Sequence, residues 1–431
     1  MKISVIGTGY VGLVAGAGLA DFGNDVICYD NDQAKIEFLK KGGVPIYEIG
    51  LSDLLKRNIA KGRLGFSADL KTAVTGSQVV FLAVGTPEGE NGEPDITDLL
   101  KVGQELGEFI SDYKIIAIKS TVPVGTYKLL GDILKLRATG SFDVVSNPEF
   151  LREGSAVQDF LLPNRVIIGV PSDKAASIMR EVYRGLYLIE TPMVITDNVT
   201  AEIIKYAANC FLATKISFIN EIASVCDKLG ADVVTVAKAI GMDGRIGPKF
   251  LHPSPGYGGS CLVKDVAAFI ALGNKIGVNL DIPKAAQKIN MTQRDRVIAK
   301  TETLLGDPKG KKIAILGLSF KSNTDDIRNS PSLYVIEKLC QSGAEINAYD
   351  PAAIENFQKI LPNINYSSNS LEACEGADLV IIMTEWNEFR ELDLNKIKKA
   401  MRGDALLDPR NIYLPQQARK AGFRYLGFGR N

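Results

Sequence analysis

Lys2-Ile3-Ser4-Val5-Ile6-Gly7-Thr8-Gly9-Tyr10-Val11-Gly12 opens the chain. Its β-branched start reads as a buried strand, and its glycines fall at G-x-G-x-x-G spacing before an apolar helix ending near Phe22-Gly23. Gly7 permits a tight turn, Gly9 lets backbone approach a pyrophosphate, and Gly12 lets helix pack on strand, so a pyrophosphate meets the helix N-terminus. Val26 to Tyr29 reads as a second strand closing on Asp30, about 20 residues past the glycines, where a ribose-binding acid belongs. Glycine spacing alone recurs by chance; strand, helix and acid together mark a dinucleotide site. Asp30 is suited to bond the ribose hydroxyls and repel a 2′-phosphate, which favours NAD over NADP, although Lys35 leaves NADP open.

Working outward, further strands are predicted at Val79 to Val84, Ile115 to Lys119, Asp143 to Ser146 and Arg165 to Gly169, with helical patterns between several of them. Such alternation builds a parallel doubly wound sheet. From Thr200 the pattern turns helical: Ala201 to Leu229 with Gly230 as a stop, then Asp232 to Ile240, Val263 to Ile276 and Ile282 onward. Strand–turn–helix returns at Lys311 to Leu316, followed by a helix after Pro331 and strands at Glu345 to Tyr349, Asp378 to Met383 and Ala405 to Leu407. The fold class is therefore α/β: a Rossmann domain at 1–198, a helical middle domain at 199–300 and a Rossmann-like domain at 310–431. The last one's turn, Gly317-Leu318-Ser319-Phe320-Lys321, lacks the triple glycine. It is either a structural duplicate or a site for a different phosphate compound held by the lysine.

The chain has 431 residues, too many for one ordinary core, and its 50 basic and 50 acidic side chains cancel. Nothing in that balance points to nucleic acid or an anionic membrane, so an anionic substrate must meet a local cluster of cations and N–H groups. The apolar run Met1 to Ala20 is not read as a signal peptide, because it lacks a basic leader and its glycines follow the fingerprint. Six cysteines lie scattered without C-x-x-C pairs, which suits a reducing cytosol and argues against zinc or disulfides. His252 is the only histidine. A catalytic proton acceptor must then come from Lys, Asp, Glu or water.

Cys261 ends the bend Gly256-Tyr257-Gly258-Gly259-Ser260 and precedes Lys264 and Asp265. An isolated cysteine is commonly a small buried hydrophobe. Here a helix is predicted to start just after it, and a helix N-terminus with a nearby lysine both favour thiolate. Lys205 and Asn209, four apart on the long helix, are either a polar site on one face or an ordinary solvated stripe. Glu149 and Glu153 follow a strand's carboxyl end, where open α/β sheets bind ligands, or else complement a helix dipole. A thiol in a dehydrogenase has a specific use. An aldehyde carbon loses hydride readily only after a nucleophile adds, so a thiolate permits alcohol-to-acid oxidation through a thiohemiacetal and a thioester.

In order along the chain stand Val84-Gly85-Thr86-Pro87, Ser120-Thr121-Val122-Pro123-Val124-Gly125-Thr126, Asn147 to Gly154, Arg245 to Leu251, Gly256 to Asp265 and Gly317 to Arg328. With these, the whole chain resembles the UDP-glucose 6-dehydrogenase family within the nucleotide-sugar 6-dehydrogenases. The resemblance implies an NAD domain, a helical dimerisation domain that makes a homodimer, and a domain holding the UDP part of the substrate UDP-glucose. It implies cofactor contacts from Gly7, Gly9, Tyr10, Val11, Gly12, Asp30, Lys35, Thr86, Thr121, Glu153, Lys264 and Arg328. Substrate contacts carried over are Glu149, Phe150, Leu151, Arg152, Glu153, Lys205, Asn209, Phe250, Leu251, His252, Pro253, Ser254, Gly258 and Lys321, with Arg245 reaching a partner's substrate. Cys261 is implied as nucleophile. Lys205 and Asn209 polarise the sugar O6 and stabilise oxyanions, Asp265 and Thr121 place a water, and Glu149 assists thioester hydrolysis.

Three positions depart from the pattern: Val263 between cysteine and lysine, Ile49 in place of proline after Tyr47-Glu48, and Asp408-Pro409-Arg410 in place of Asp-Gly-Arg. None removes a catalytic group. The alternatives are another nucleotide sugar such as GDP-mannose, a two-electron dehydrogenase of the 6-phosphogluconate type, which needs neither Cys261 nor a second nucleotide domain, and a silent nucleotide sensor.

Overall fold

The computed structural model describes residues 1–89 and 92–430. The chain separates into two compact units, one from Met1 to Ala208 and the other from Asn209 onward.

The first unit is built on eight strands: β1 (Lys2–Ile6), β2 (Asp25–Tyr29), β3 (Leu64–Ser67), β4 (Val79–Leu82), β5 (Lys114–Ile118), β6 (Phe142–Ser146), β7 (Val166–Gly169) and β8 (Met193–Thr196). Their spatial order is β3-β2-β1-β4-β5-β6-β7-β8. Pairing is parallel from β3 to β6, with Ile3 beside Val26 on one flank and Val79 on the other. β4 and β5 are buried along their whole length, as strands covered by helices on both faces must be. β6 and β7 meet antiparallel, through Ser146 and Gly169, and β8 then runs parallel to β7. The doubly wound parallel sheet thus has a reversed two-strand flank, which periodicity cannot show because it carries no direction.

The second unit opens with helices: the later part of Asn198–Leu229, then Val233–Gly241, Cys261–Lys275 and Asp281–Leu305, with no strand between residues 209 and 305 among the described residues. The long helix begins three residues ahead of the predicted Ala201, where Asp197 accepts the Thr200 N–H at 2.9 Å, and Gly230 follows it with φ +71°. A second parallel sheet follows, from β9 (Lys312–Leu316), β10 (Glu345–Tyr349), β11 (Asn365–Tyr366), β12 (Leu379–Ile382), β13 (Ala405–Asp408) and β14 (Arg424–Gly427), in the order β11-β10-β9-β12-β13-β14. No helix of the described residues is long and apolar enough to cross a membrane.

Candidate active site

The glycine turn has the shape its spacing predicts. Gly7 sits at φ +98°, and its N–H donates to the Tyr29 carbonyl at 2.8 Å. A Cβ on Gly12 would overlap the Gly7 carbonyl oxygen, whereas one on Gly9 would meet nothing within 4 Å. Gly9 is therefore open space in front of the helix Tyr10–Asp21, a cradle into which a phosphate can descend. Tyr10 and Val11, half-buried, form the first turn of that helix.

Asp30 closes the cradle from the end of β2. Its carboxylate accepts from Thr8 N at 2.9 Å, Thr8 Oγ1 at 2.6 Å and Lys35 Nζ at 3.1 Å. Burial is the largest single influence and pushes its pKa up, but these donors and the Asp32 N–H outweigh it, so the group sits below the ordinary carboxylate value. Lys35 is thus held on Asp30. Thr86 Oγ1 donates to the Thr121 carbonyl at 2.8 Å, joining the ends of β4 and β5.

Beyond β6 the chain turns through Asn147-Pro148-Glu149. Glu149 is 5% exposed; its carboxylate accepts from Lys205 Nζ at 3.2 Å and from the Leu151 N–H at 2.5 Å. Lys205 itself is 3% exposed, which removes the solvated-stripe reading. Phe150 packs under two cations, Arg165 at 3.6 Å and Lys205 at 5.2 Å from its ring centre. Arg152 does not join this group: it is exposed and held by Asp159 through three bonds of 2.6–2.9 Å. Glu153 is half-buried in the turn ahead of Ala156–Leu161.

In the second unit, Cys261 is itself the first residue of the helix Cys261–Lys275, two positions earlier than predicted, with Ser260 as its cap. A half-buried thiol on the first turn of a helix lies in the field that favours thiolate. Cys28, Cys210 and Cys374 are different: burial pushes each thiol up to about 12. Lys264 answers Asp265 at 3.0 Å, and Asp265, fully buried, also accepts from Asn209 Nδ2 at 2.6 Å. Asn209 is 7% exposed, so it too lies off the solvated face. One helix carries Lys205 and Asn209, and each has a buried acid as partner.

The bend before Cys261 is tightly determined. A side chain at Gly258 would overlap the Asn329 carbonyl oxygen, and the Gly259 N–H donates to the Arg328 carbonyl at 2.8 Å. Leu251, Pro253 and Ser254 are buried, His252 is exposed, and Phe250 holds a left-handed φ of +65°. The Ser254 N–H donates to Asn220 Oδ1 at 2.8 Å. Lys321 lies 5.6 Å from the ring centre of Phe320. Arg245 and Arg328 are exposed and clasp Asp243 and Asp326 at 2.6 and 2.7 Å.

Three supporting side chains escaped the sequence reading. Glu202, 4% exposed, accepts from Gly125 N at 2.7 Å, Tyr127 N at 3.4 Å and Ser146 Oγ at 3.1 Å. Its place three residues before Lys205 puts it on the same face, the one signal that was available. Glu48 accepts from Gly154 N at 2.6 Å and Ala156 N at 2.8 Å, over more than 100 residues of sequence, where no local pattern points. Lys119 is the third. Among the described residues no group of three or more His, Cys, Asp or Glu is placed to hold a metal ion.

A dinucleotide cradle together with a helix-starting thiol and buried lysine–acid pairs belongs to a nicotinamide-dependent oxidoreductase. Residues 1–187, 199–292 and 314–415 match the NAD binding, central and UDP binding domains of the UDP-glucose/GDP-mannose dehydrogenase family. The chain is 46% identical to a UDP-glucose 6-dehydrogenase of Rhizobium meliloti, with all of both chains covered. Among solved structures it resembles a UDP-glucose dehydrogenase of Pyrobaculum islandicum (TM-score 0.93, 36% identity, 100% and 98% of the two chains). A UDP-D-ManNAc dehydrogenase of Pyrococcus horikoshii is also similar (TM-score 0.87, 29% identity, 100% and 99%). The chain belongs to the UDP-glucose/GDP-mannose dehydrogenase family.

Proposed function

We propose that the chain oxidises UDP-glucose at C6 to UDP-glucuronate, consuming two NAD and one water. The observation that carries this reading is Cys261 on the first turn of its helix, with Lys264, Asp265 and Asn209 joined on the same unit. When bound, the nicotinamide accepts a hydride in each of two successive oxidations. In the first, a water held by Asp265 and Thr121 takes the hydroxyl proton, and Lys205 and Asn209 polarise O6. Cys261 Sγ then adds to the aldehyde carbon, and the same two side chains stabilise the oxyanion. Loss of the second hydride leaves a thioester on Cys261, which water cleaves with the help of Glu149.

Asp30 supports NAD over NADP: a carboxylate held ionised by Thr8 and Lys35 repels a 2′-phosphate. We read residues 1–198 as the NAD-binding domain, 199–300 as the dimerisation domain and 310–431 as the UDP-binding domain. Homodimerisation draws support from Phe211, Phe218 and Val225, seven residues apart on one helix and 65%, 48% and 52% exposed. The free thiols suit a reducing compartment such as the cytoplasm.

The test is NADH counted per sugar with UDP-glucose, GDP-mannose and UDP-N-acetyl sugars. Two NADH per UDP-glucose are expected; one, or preference for another sugar, sinks the reading. Cys261→Ser is expected to bind UDP-glucose and produce no acid.

A further inference from the structure

Lys119 leaves the end of β5 directly before Ser120-Thr121 and turns inward, 5% exposed. Its Nζ donates to Asn147 Oδ1 at 3.2 Å and to the Tyr183 hydroxyl at 3.3 Å, while that hydroxyl donates to the same Asn147 oxygen at 2.5 Å. Asn147 is fixed on its other sides as well, Nδ2 donating to the Ile167 carbonyl at 2.7 Å and N to the Ile118 carbonyl at 2.8 Å. Among the described residues no carboxylate lies at ion-pair distance from this ammonium. Lys119 and Glu149 line one cavity of about 50 Å³ with Phe150, Arg165 and Tyr183.

A buried cation without a counter-ion is costly, and an apolar side chain would fill the space at less expense. Burial pulls the pKa of Lys119 down to about 8, with the charge of Glu149 opposing and that of Lys205 adding, so it lies within the field of that pair. Asn147 stands two residues before Glu149, and Lys119 two residues before Thr121.

We propose that Lys119 is a positioning residue for Glu149, acting through Asn147, and that it governs release of the covalent intermediate rather than either hydride transfer. This rests on the reading of the function given above. In the release step a water oxygen bonds to the thioester carbon and one of its protons passes to the Glu149 carboxylate. The carbon–sulfur bond breaks with its electron pair going to Cys261 Sγ, and the carboxylic acid formed loses its remaining proton to solvent.

The experiment compares wild type, Lys119→Met and Tyr183→Phe at saturating NAD and UDP-glucose, with acid-quenched samples weighed by intact-protein mass spectrometry. Lys119→Met is expected to lower kcat about tenfold or more with kcat/KM for UDP-glucose within about threefold, KM falling in step because the slowed step follows acylation. Its Cys261 is expected to be acylated in most molecules during turnover. Tyr183→Phe, which keeps the cation and loses one of its bonds, moves in the same direction by a smaller factor, and it decides the matter if Lys119→Met does not fold. Unchanged kcat, or slow turnover without the sulfur adduct, overturns the proposal. A wild type that fails to yield two NADH per UDP-glucose overturns instead the reading on which it rests.

Discussion

The turns that open the two sheets begin alike and end differently. Gly7 and Gly317 stand at φ +98° and +107°, and each donates its N–H at 2.8 Å to a tyrosine carbonyl, Tyr29 or Tyr349, at the end of the next strand. An aspartate follows that tyrosine in both. Past this point the first turn runs straight into a helix at Tyr10, with the open Gly9 in front of it, and Asp30 keeps 13% of its side chain exposed. In the second turn Ser319 stands where Gly9 does, and no helix starts before Pro331. Asp350 there is 2% exposed, and its Oδ2 accepts from Leu318 N, Ser319 N, Ser319 Oγ and Trp386 Nε1 at 2.8–3.1 Å.

One acid keeps part of its carboxylate accessible and its counterpart is consumed as framework. With the Asp350 oxygen saturated and the helix start displaced, the second turn cannot take a nucleotide as the first does. A phosphate compound at that turn would have to meet side chains of the intervening loop, of which Lys321 is a cation. The comparison breaks if the two turns answer mutation alike. Gly12→Ala drives a methyl into the Gly7 carbonyl. Overpacking that backbone contact displaces the cradle, and kcat/KM for NAD is expected to fall at least about 1000-fold, roughly 4 kcal/mol.

Next in size is a swap of one atom in each acid. Asp350→Asn aims an amide at N–H donors in a buried site, which is expected to cost about 3 kcal/mol of stability in urea titrations. Asp30→Asn is expected to cost less than about 1 kcal/mol while raising the KM for NAD about tenfold and easing discrimination against NADP. If Asp30→Asn destabilises as much as Asp350→Asn, both acids are framework. Lys321→Ala sharpens the other side: the KM for UDP-glucose is expected to rise about tenfold with the KM for NAD unchanged.

The likeness of the turns was legible in the sequence because each lies between a β-branched strand and a second strand ending in Tyr-Asp. Their difference was half legible: the missing glycines showed, the saturation of Asp350 did not, since Trp386 lies 36 residues on. No continuous apolar run marks β3 or β8, because neither is buried along its length. The helix starts at Cys261, earlier than its pattern predicts, because the polar Gly-Gly-Ser run masks its first turn. Lys205 and Asn209 stood out by spacing, yet only their burial beside Glu149 and Asp265 distinguishes a site from a surface stripe. Charged residues such as Lys119 and Glu202 read as solvated until their partners, 28 to 77 residues away, are in view.

Each unit also keeps a buried acid, and the two are expected to titrate in different windows. Burial is the main cause in both, pushing Glu202 from 4.5 up to about 7 and Asp408 from 3.8 up to about 6 against their hydrogen bonds. A raised carboxyl pKa means that the folded chain keeps a proton which the unfolded chain has already released. Stability therefore falls as pH rises from the unfolded to the folded value and is level above it, by at most about 1.4 kcal/mol per pH unit for each group. Glu202→Gln is expected to flatten the urea midpoint between about pH 6 and 7 and to roughly halve the slope between about 4.5 and 6, where Asp408 still contributes. Asp408→Asn is expected to flatten it only between about pH 3.8 and 4.5, to roughly halve the slope between about 4.5 and 6, and to leave the slope between 6 and 7 unchanged. A Glu202→Gln profile parallel to wild type across the upper window shows that the Gly125, Tyr127 and Ser146 donors hold Glu202 ionised. The two units then differ in their buried acids as they do in their turns.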